Sequence, residues 1–229
     1  MKKSNMKPQP NQDTAALSQR VYDDLKKMIV SGDLIPGNRL NQKELADKLG
    51  VSRTPLLAAF NKLIQENLLE STPNRGVYVK QLSLMEIADL YDIRLQLEPL
   101  GAQKAAEHVD GQMIQELSNI LNEYEEAVKI DNVLRIIQLD ALFHSSIMKF
   151  SKNSFLYNMV VNFDIIMVSN RIGLLNEHHK SLEEHKALLV AISDGNTEKA
   201  KTIMHNHIKD ARQNLLHRLS VLNMTYIKM

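Results

Sequence analysis

Apolar residues recur at helical spacing along almost the whole chain, and only one short stretch changes to the alternation of a strand. Leu17, Val21, Leu25, Met28 and Ile29 predict a helix over about 15–31. Ser31-Gly32-Asp33 ends it, Pro36-Gly37 turns the chain, and Arg39-Leu40-Asn41 reads as a short strand. Leu45 and Leu49 then share the inward face of a helix over 44–49, and Leu56, Phe60 and Leu63 that of a helix over 55–67. Gly50 suits the left-handed residue that ends a helix. Ser52 or Thr54 can cap the second helix, and Pro55 fits its first turn, where no amide hydrogen bond is lost. After Leu68 and Leu69 come a turn at 72–76 and the β-rich run Val77-Tyr78-Val79. Helix, turn, helix and a two-stranded wing predict a winged helix–turn–helix, whose second helix enters the DNA major groove.

Beyond Lys80 no strand pattern returns. Ser83 can cap a helix containing Glu86, and helices are expected over 84–108, 110–129, 131–151, 154–173, 178–193 and 197–220. Asp110-Gly111, Asp131-Asn132, Lys152-Asn153, Gly173 and Asp194-Gly195-Asn196 supply the breaks. Short turns between six or seven helices predict an antiparallel bundle. The fold class is therefore mainly α. The expected division is a disordered tail over 1–13, a DNA-binding domain over 14–81 and an all-helical effector-binding and dimerisation domain over 82–222. Met159, Met167 and Met204 read as core filler.

Composition narrows the function classes. The chain has 229 residues, enough for two domains, with 44% hydrophobic content to give each a core. No cysteine is present, which excludes a disulfide framework and a thiolate metal site. Net charge is only +1, but residues 1–80 carry 13 Lys and Arg against 8 Asp and Glu, whereas the remainder carries 15 against 19. A basic front on an acidic body fits phosphate contact by the first domain alone. Without a signal-peptide core or an apolar span, a cytoplasmic protein with no membrane partner is expected.

One helix of the second domain carries unusual chemistry. In the run IIQLDALFHSSIMKF, Ile136, Ile137, Phe143 and Ile147 define an apolar face, and Asp140 and His144 stand in the same stripe. A buried carboxylate costs several kcal/mol unless it is paired. Asp and His at i and i+4 project together, as two ligands of one metal do. His185 shares a face with Leu182, Leu188, Leu189 and Ile192, and His207 one with Ile203, Met204 and Ala211. The turn at 194–196 makes their helices a hairpin, and at about 1.5 Å per residue the two imidazoles lie roughly 14 and 16 Å from it. Each histidine alone reads equally as a hydrogen-bonded core residue; the four together read as a candidate metal site. His178 is near a helix start, while His108, His179, His205 and His217 read as solvated.

Both halves together resemble the GntR superfamily of bacterial transcription regulators, in its FadR-type branch with a metal-binding FCD effector domain. The likeness spans roughly residues 16–217 and rests on SGDLIPGNRLNQKELADKLGVSRTP, RGVYV, LYDIRLQLEP, LDALFH and EHKALLVAISDGNTEKAKTIMHNHI in that order. It implies that Asp140, His144, His185 and His207 match the ligands of a divalent ion, zinc first, nickel or manganese otherwise. It also implies that the ion lies in a cavity that binds a small carboxylic-acid effector. Arg94 matches an arginine near that cavity: an effector contact, since a guanidinium fork pairs well with a carboxylate, or a salt bridge to Glu98 at i+4. Asn170 and Arg171 are further candidates. Arg39, Arg53, Thr54, Arg75 and Gly76 occupy the family's DNA-contact positions, and Lys43 and Lys62 are phosphate contacts or a solvated face. One departure stands out: Leu57-Ala58-Ala59 replaces the family's usual Arg-Glu-Ala, so a base-contacting arginine becomes Leu57, placed to touch a thymine methyl or to pack.

The expected function is a ligand-responsive regulator that binds operator DNA as a homodimer, and not an enzyme. In that family repression relieved by effector is the commoner arrangement. Two other readings stand beside it: a metal-dependent hydrolase with an appended helix–turn–helix, and a regulator whose metal is only structural.

Overall fold

The computed structural model describes the backbone of residues 10–170 and 177–226, with side chains over 14–162 and 177–218. The chain divides between Gln81 and Leu82 into two compact units. The first holds α1 (Pro10–Val30), α2 (Gln42–Leu49), α3 (Arg53–Gln65), β1 (Leu69–Thr72) and β2 (Gly76–Val79). α1 begins inside the segment expected to be a tail, because proline with its preset φ opens a helix readily.

The helix–turn–helix is fixed by its caps. The Asn41 side chain accepts from the Lys43 and Glu44 amides and donates to the Glu44 carboxylate. Gly50 closes α2 at φ 64°, in the left-handed region. Ser52 occupies the N-cap of α3 without a side-chain bond to it, so Thr54 falls inside the helix and Pro55 at its third residue. Leu56, Phe60 and Leu63 then pack on Val21, Leu25 and Ile29 of α1 as one core. Tyr22 donates to the Glu66 carboxylate at 2.7 Å and accepts from Lys26, tying α1 to the end of α3.

β1 and β2 form an antiparallel pair, Leu69 opposite Val79 and Thr72 opposite Gly76. The expected third strand at 39–41 reduces to a single bridge between Arg39 and Tyr78. Through it the segment still closes the wing: the Gly37 amide donates to the Val79 carbonyl, the Leu40 amide to that of Val77, and the Val79 amide to that of Asn38.

The second unit holds α4 (Leu84–Glu107), α5 (Gly111–Lys129), α6 (Val133–Phe150), α7 (Ser154–Asn170), α8 (His178–Ser193) and α9 (Thr197–Tyr226). Ser83 and Glu86 form a reciprocal capping box at the start of α4, and Asp110 and Asn132 cap α5 and α6. α4 packs against α9, α6, α7 and α8, so it forms the centre of the bundle. Gly101 lets α6 approach closely: a Cβ there would stand 2.2 Å from Met148.

Met204 is buried, but Met159 is 52% exposed and is not core filler. α7 packs through Leu156 and Val160, which turns Phe155 and Met159, each one position earlier, to the outside. Met167 lies outside the described side chains. Among the described residues no helix is long and apolar enough to cross a membrane.

Candidate metal centre and nucleic-acid face

Three helices bring four side chains to one point in the second unit. Asp140 and His144 come from successive turns of α6, His185 from α8 and His207 from α9, and all four are buried. Gly195, at φ 64°, makes the tight α8–α9 turn that sets the two histidines level. The Nε2 atoms of His144 and His185 lie 3.2 Å apart, and those of His185 and His207 3.3 Å. Asp140 Oδ1 is 3.7 Å from His185 Nε2, and one ligand atom from each residue lies within 4.8 Å of all the others. Donors about 2.0–2.1 Å from a tetrahedral zinc ion stand roughly 3.3–3.4 Å from one another. The two histidine pairs, at 3.2 and 3.3 Å, have that spacing, and Asp140 stands a little wider.

The outer nitrogens decide what the inner ones can do. His144 Nδ1 meets the Glu98 carboxylate at 2.5 Å, and His207 Nδ1 meets Glu184 at 2.6 Å. A carboxylate can only accept, so each Nδ1 carries the proton, and in the neutral ring each Nε2 then turns a lone pair inward. The single Nε2 proton that His185 could offer would satisfy one of those lone pairs and leave the other facing a nitrogen. A cation answers all of them at once. The His185 ring is held by Phe143, with centroids 4.6 Å apart, and by the edge of Tyr124 at 5.6 Å.

Charge in the surroundings keeps Glu98 ionised, as an acceptor for that proton. Burial pushes the Glu98 carboxyl up, but the Arg94 guanidinium and His144 outweigh it and hold the group at about 2. Arg94 reaches Glu98 through both Nε and Nη2. Of its two sequence readings, the structure displays the ion pair. Burial holds the His207 imidazole below its ordinary pKa, against the upward pull of Glu184, which favours the neutral, ligating form. Glu98 and Glu184 are the residues that sequence reasoning missed in this role. Glu98 was visible only as a partner for Arg94, and Glu184 only as the neighbour of His185.

A cavity of about 250 Å³ borders this cluster, with Tyr91, Lys180, Glu184, His207 and Asp210 in its wall. His178, the first residue of α8, and His217 line the same cavity rather than the cluster. Arg171 lies outside the described residues, as does the Asn170 side chain.

In the first unit, Arg39, Lys43, Arg53 and Gly76 line one surface depression between the wing and the helix–turn–helix. A Cβ on Gly76 would come within 3.0 Å of the Arg39 guanidinium, so this glycine makes room for the arginine. Thr54 and Arg75 are exposed beside them. Lys62 lies further along α3, its ammonium bonded to Gln19 at 3.0 Å and resting 3.8 Å above the Tyr22 ring.

A capped helix–turn–helix with a cationic wing, followed in the chain by a helical sensor-like bundle, is the build of a two-part transcription regulator. Residues 17–79 match the family of bacterial regulatory proteins, gntR family, and residues 89–210 match the FCD domain. The chain belongs to the GntR family of transcription regulators, with an FCD domain; the members are regulators and not enzymes. It is 30% identical over 202 residues to the HTH-type transcriptional regulator YdhC of Bacillus subtilis, covering 86% of this chain and 90% of that one. It is also 30% identical over 187 residues to the Nta operon transcriptional regulator of Aminobacter aminovorans, covering 80% and 86%. Among solved structures it is similar to E. coli McbR/YncC, with a TM-score of 0.78 and 25% identity over 89% of this chain and 98% of that one.

Replacing Arg94 by Met leaves the Glu98 charge buried without its main partner. The Arg94→Met variant should lose about 3–5 kcal/mol in urea denaturation. The Glu98 carboxyl is depressed from its ordinary 4.5 to about 2, so its contribution is complete above pH 4.5 and is lost as pH falls through about 2. The stability gap between the wild type and Glu98→Gln should narrow over that window; a pH-independent gap would contradict the ionised pair.

Proposed function

We propose that this regulator senses a small carboxylic acid through a divalent ion held by Asp140, His144, His185 and His207. The observation that carries this reading is the convergence of three Nε2 atoms and one carboxylate in a buried site, two of the imidazoles oriented by Glu98 and Glu184. Such an N₃O donor set suits zinc and also nickel, and manganese less well; raw affinity does not choose among them. When bound, the ion acts as the Lewis acid to which an acid's carboxylate attaches. The chain's own residues hold it in place: Glu98, neutralised by Arg94, and Glu184 fix the ring tautomers. The cavity beside His207 gives room for a small organic acid, which favours a sensor over a purely structural ion.

In this reading residues 14–81 bind operator DNA and residues 82–222 bind effector and pair two copies into a homodimer. Arg39, Lys43 and Arg75 contact phosphates, and Arg53, at the start of α3, reaches a base edge or phosphate. Effector binding shifts the population of bundle arrangements and with it the fit of two winged domains to two half-sites.

Elemental analysis of the purified protein should give one divalent ion per chain, and the double variant His144→Ala with His207→Ala should lose it while keeping its helical circular dichroism. Metal retained in the double variant would show that other residues hold it. In thermal-shift titrations a small carboxylic acid should raise the melting temperature of the metal-loaded protein and leave that of the double variant unchanged. A metal-loaded protein indifferent to the whole panel would point to a structural ion. Arg53→Ala should weaken operator binding at least tenfold in gel-shift titrations at fixed salt, about 1.4 kcal/mol or more; unchanged affinity would count against this docking.

A further inference from the structure

The outward face of α3 differs chemically from the cationic surface beside it. Pro55, Leu56, Ala59, Phe60 and Leu63 are buried. At about 100° per residue, the face opposite them carries Thr54, Leu57, Ala58 and Asn61 on its first turns, with the exposed, uncharged Gln65 at its end. Thr54, Ala58 and Asn61 are exposed and Leu57 is half-buried. None of the four carries a charge. The two cations of the helix lie at its margins: Arg53 is its first residue, and Lys62 sits on the flank where Gln19 and the Tyr22 ring hold its ammonium.

We propose that α3 selects a half-site built on adjacent A·T pairs, read by Leu57, Ala58 and Asn61, with a single guanine under Arg53. The inference rests on α3 being the helix that enters the major groove, and it is independent of the metal site. A guanine edge presents two acceptors, O6 and N7, and calls for a donor fork. Neither Leu57 nor Ala58 has a donor, so a G·C pair beneath them would have its groove-edge polar groups stripped of water with nothing in return. A thymine C5 methyl, in contrast, gains apolar contact with both side chains. The Asn61 amide offers one acceptor and one donor, which match N6 and N7 of adenine. Arg53 supplies the one guanidinium fork on this helix, and its place at the first residue puts the guanine at one end of the run.

The test is selection of the full-length protein against duplexes with a randomised core, at one fixed salt concentration because phosphate contacts vary steeply with salt. Enriched half-sites should contain a run of adjacent A·T pairs bordered by one G·C pair. Leu57→Arg should convert one A·T position of the run to guanine and leave the others as they were. Asn61→Ala should reduce discrimination at one adenine by roughly 5- to 150-fold. Asn61 is exposed and Leu57 only half-buried, so both variants are expected to fold with melting temperatures close to that of the wild type. Enrichment of G·C pairs inside the run, or a Leu57→Arg protein with the wild-type preference, would overturn the proposal. So would binding to bulk duplex with no sequence enriched, an outcome that leaves the protein's place among transcription regulators intact.

Discussion

A carboxylate with no exposure to water is the constraint on which the second unit turns. Glu98 keeps its charge because Arg94 stands one helical turn before it on α4 and because His144 of α6 donates to it. If that charge were lost, the neutral acid would become a donor and the His144 proton would have to move to the other nitrogen. The inward lone pair would vanish with it. One ion pair within a single helix therefore sets the chemistry of a ring on the next helix and of the space between three histidines.

The two orienting carboxylates are unequal. Glu98 is wholly enclosed, and its counter-charge is enclosed with it. The Glu184 side chain is 25% exposed, lines the cavity, and has the Lys180 ammonium 3.7 Å away. The site thus has a rigid side on α4 and α6 and a side on α8 and α9 that is open to competition from solutes and solvent. Burial keeps His207 in its neutral form on that open side.

Most of the architecture was legible in the sequence because it is written in local signals. Gly50, Pro55 and Gly195 mark element ends by backbone preference and Ser83 and Asp110 by side-chain caps, and the mainly α class followed from apolar spacing. Misreadings arose where a tertiary neighbour decides. Arg39 to Asn41 looked like a full strand, and it does close the wing through backbone bonds to Val77 and Val79, but the turn before it and the cap after it hold it to one bridge. Met159 looked like core because its helix is apolar on several faces, and only packing selects Leu156 and Val160. The same split holds for the site. Counting along the helices from the Gly195 turn put His185 and His207 level, and their Nε2 atoms are 3.3 Å apart. No count along the chain could put Glu98 against His144, 46 residues away, because that contact depends on the crossing of α4 and α6. Gly101, which leaves room for Met148 of α6, records the crossing but does not announce it.

α9 extends from Thr197 to Tyr226, with His207 a third of the way along. At about 1.5 Å per residue it reaches roughly 15 Å before that histidine and roughly 28 Å beyond it. The short arm is tied to α8 through the Gly195 turn and the His207–Glu184 bond, and the longer arm to α4 through buried Ile208 and Leu215 and through Arg212 on Asp92. Among the described residues α9 is the longest helix, and one rigid rod thus joins His207 to side chains about one and two turns further on that rest on the central helix of the bundle.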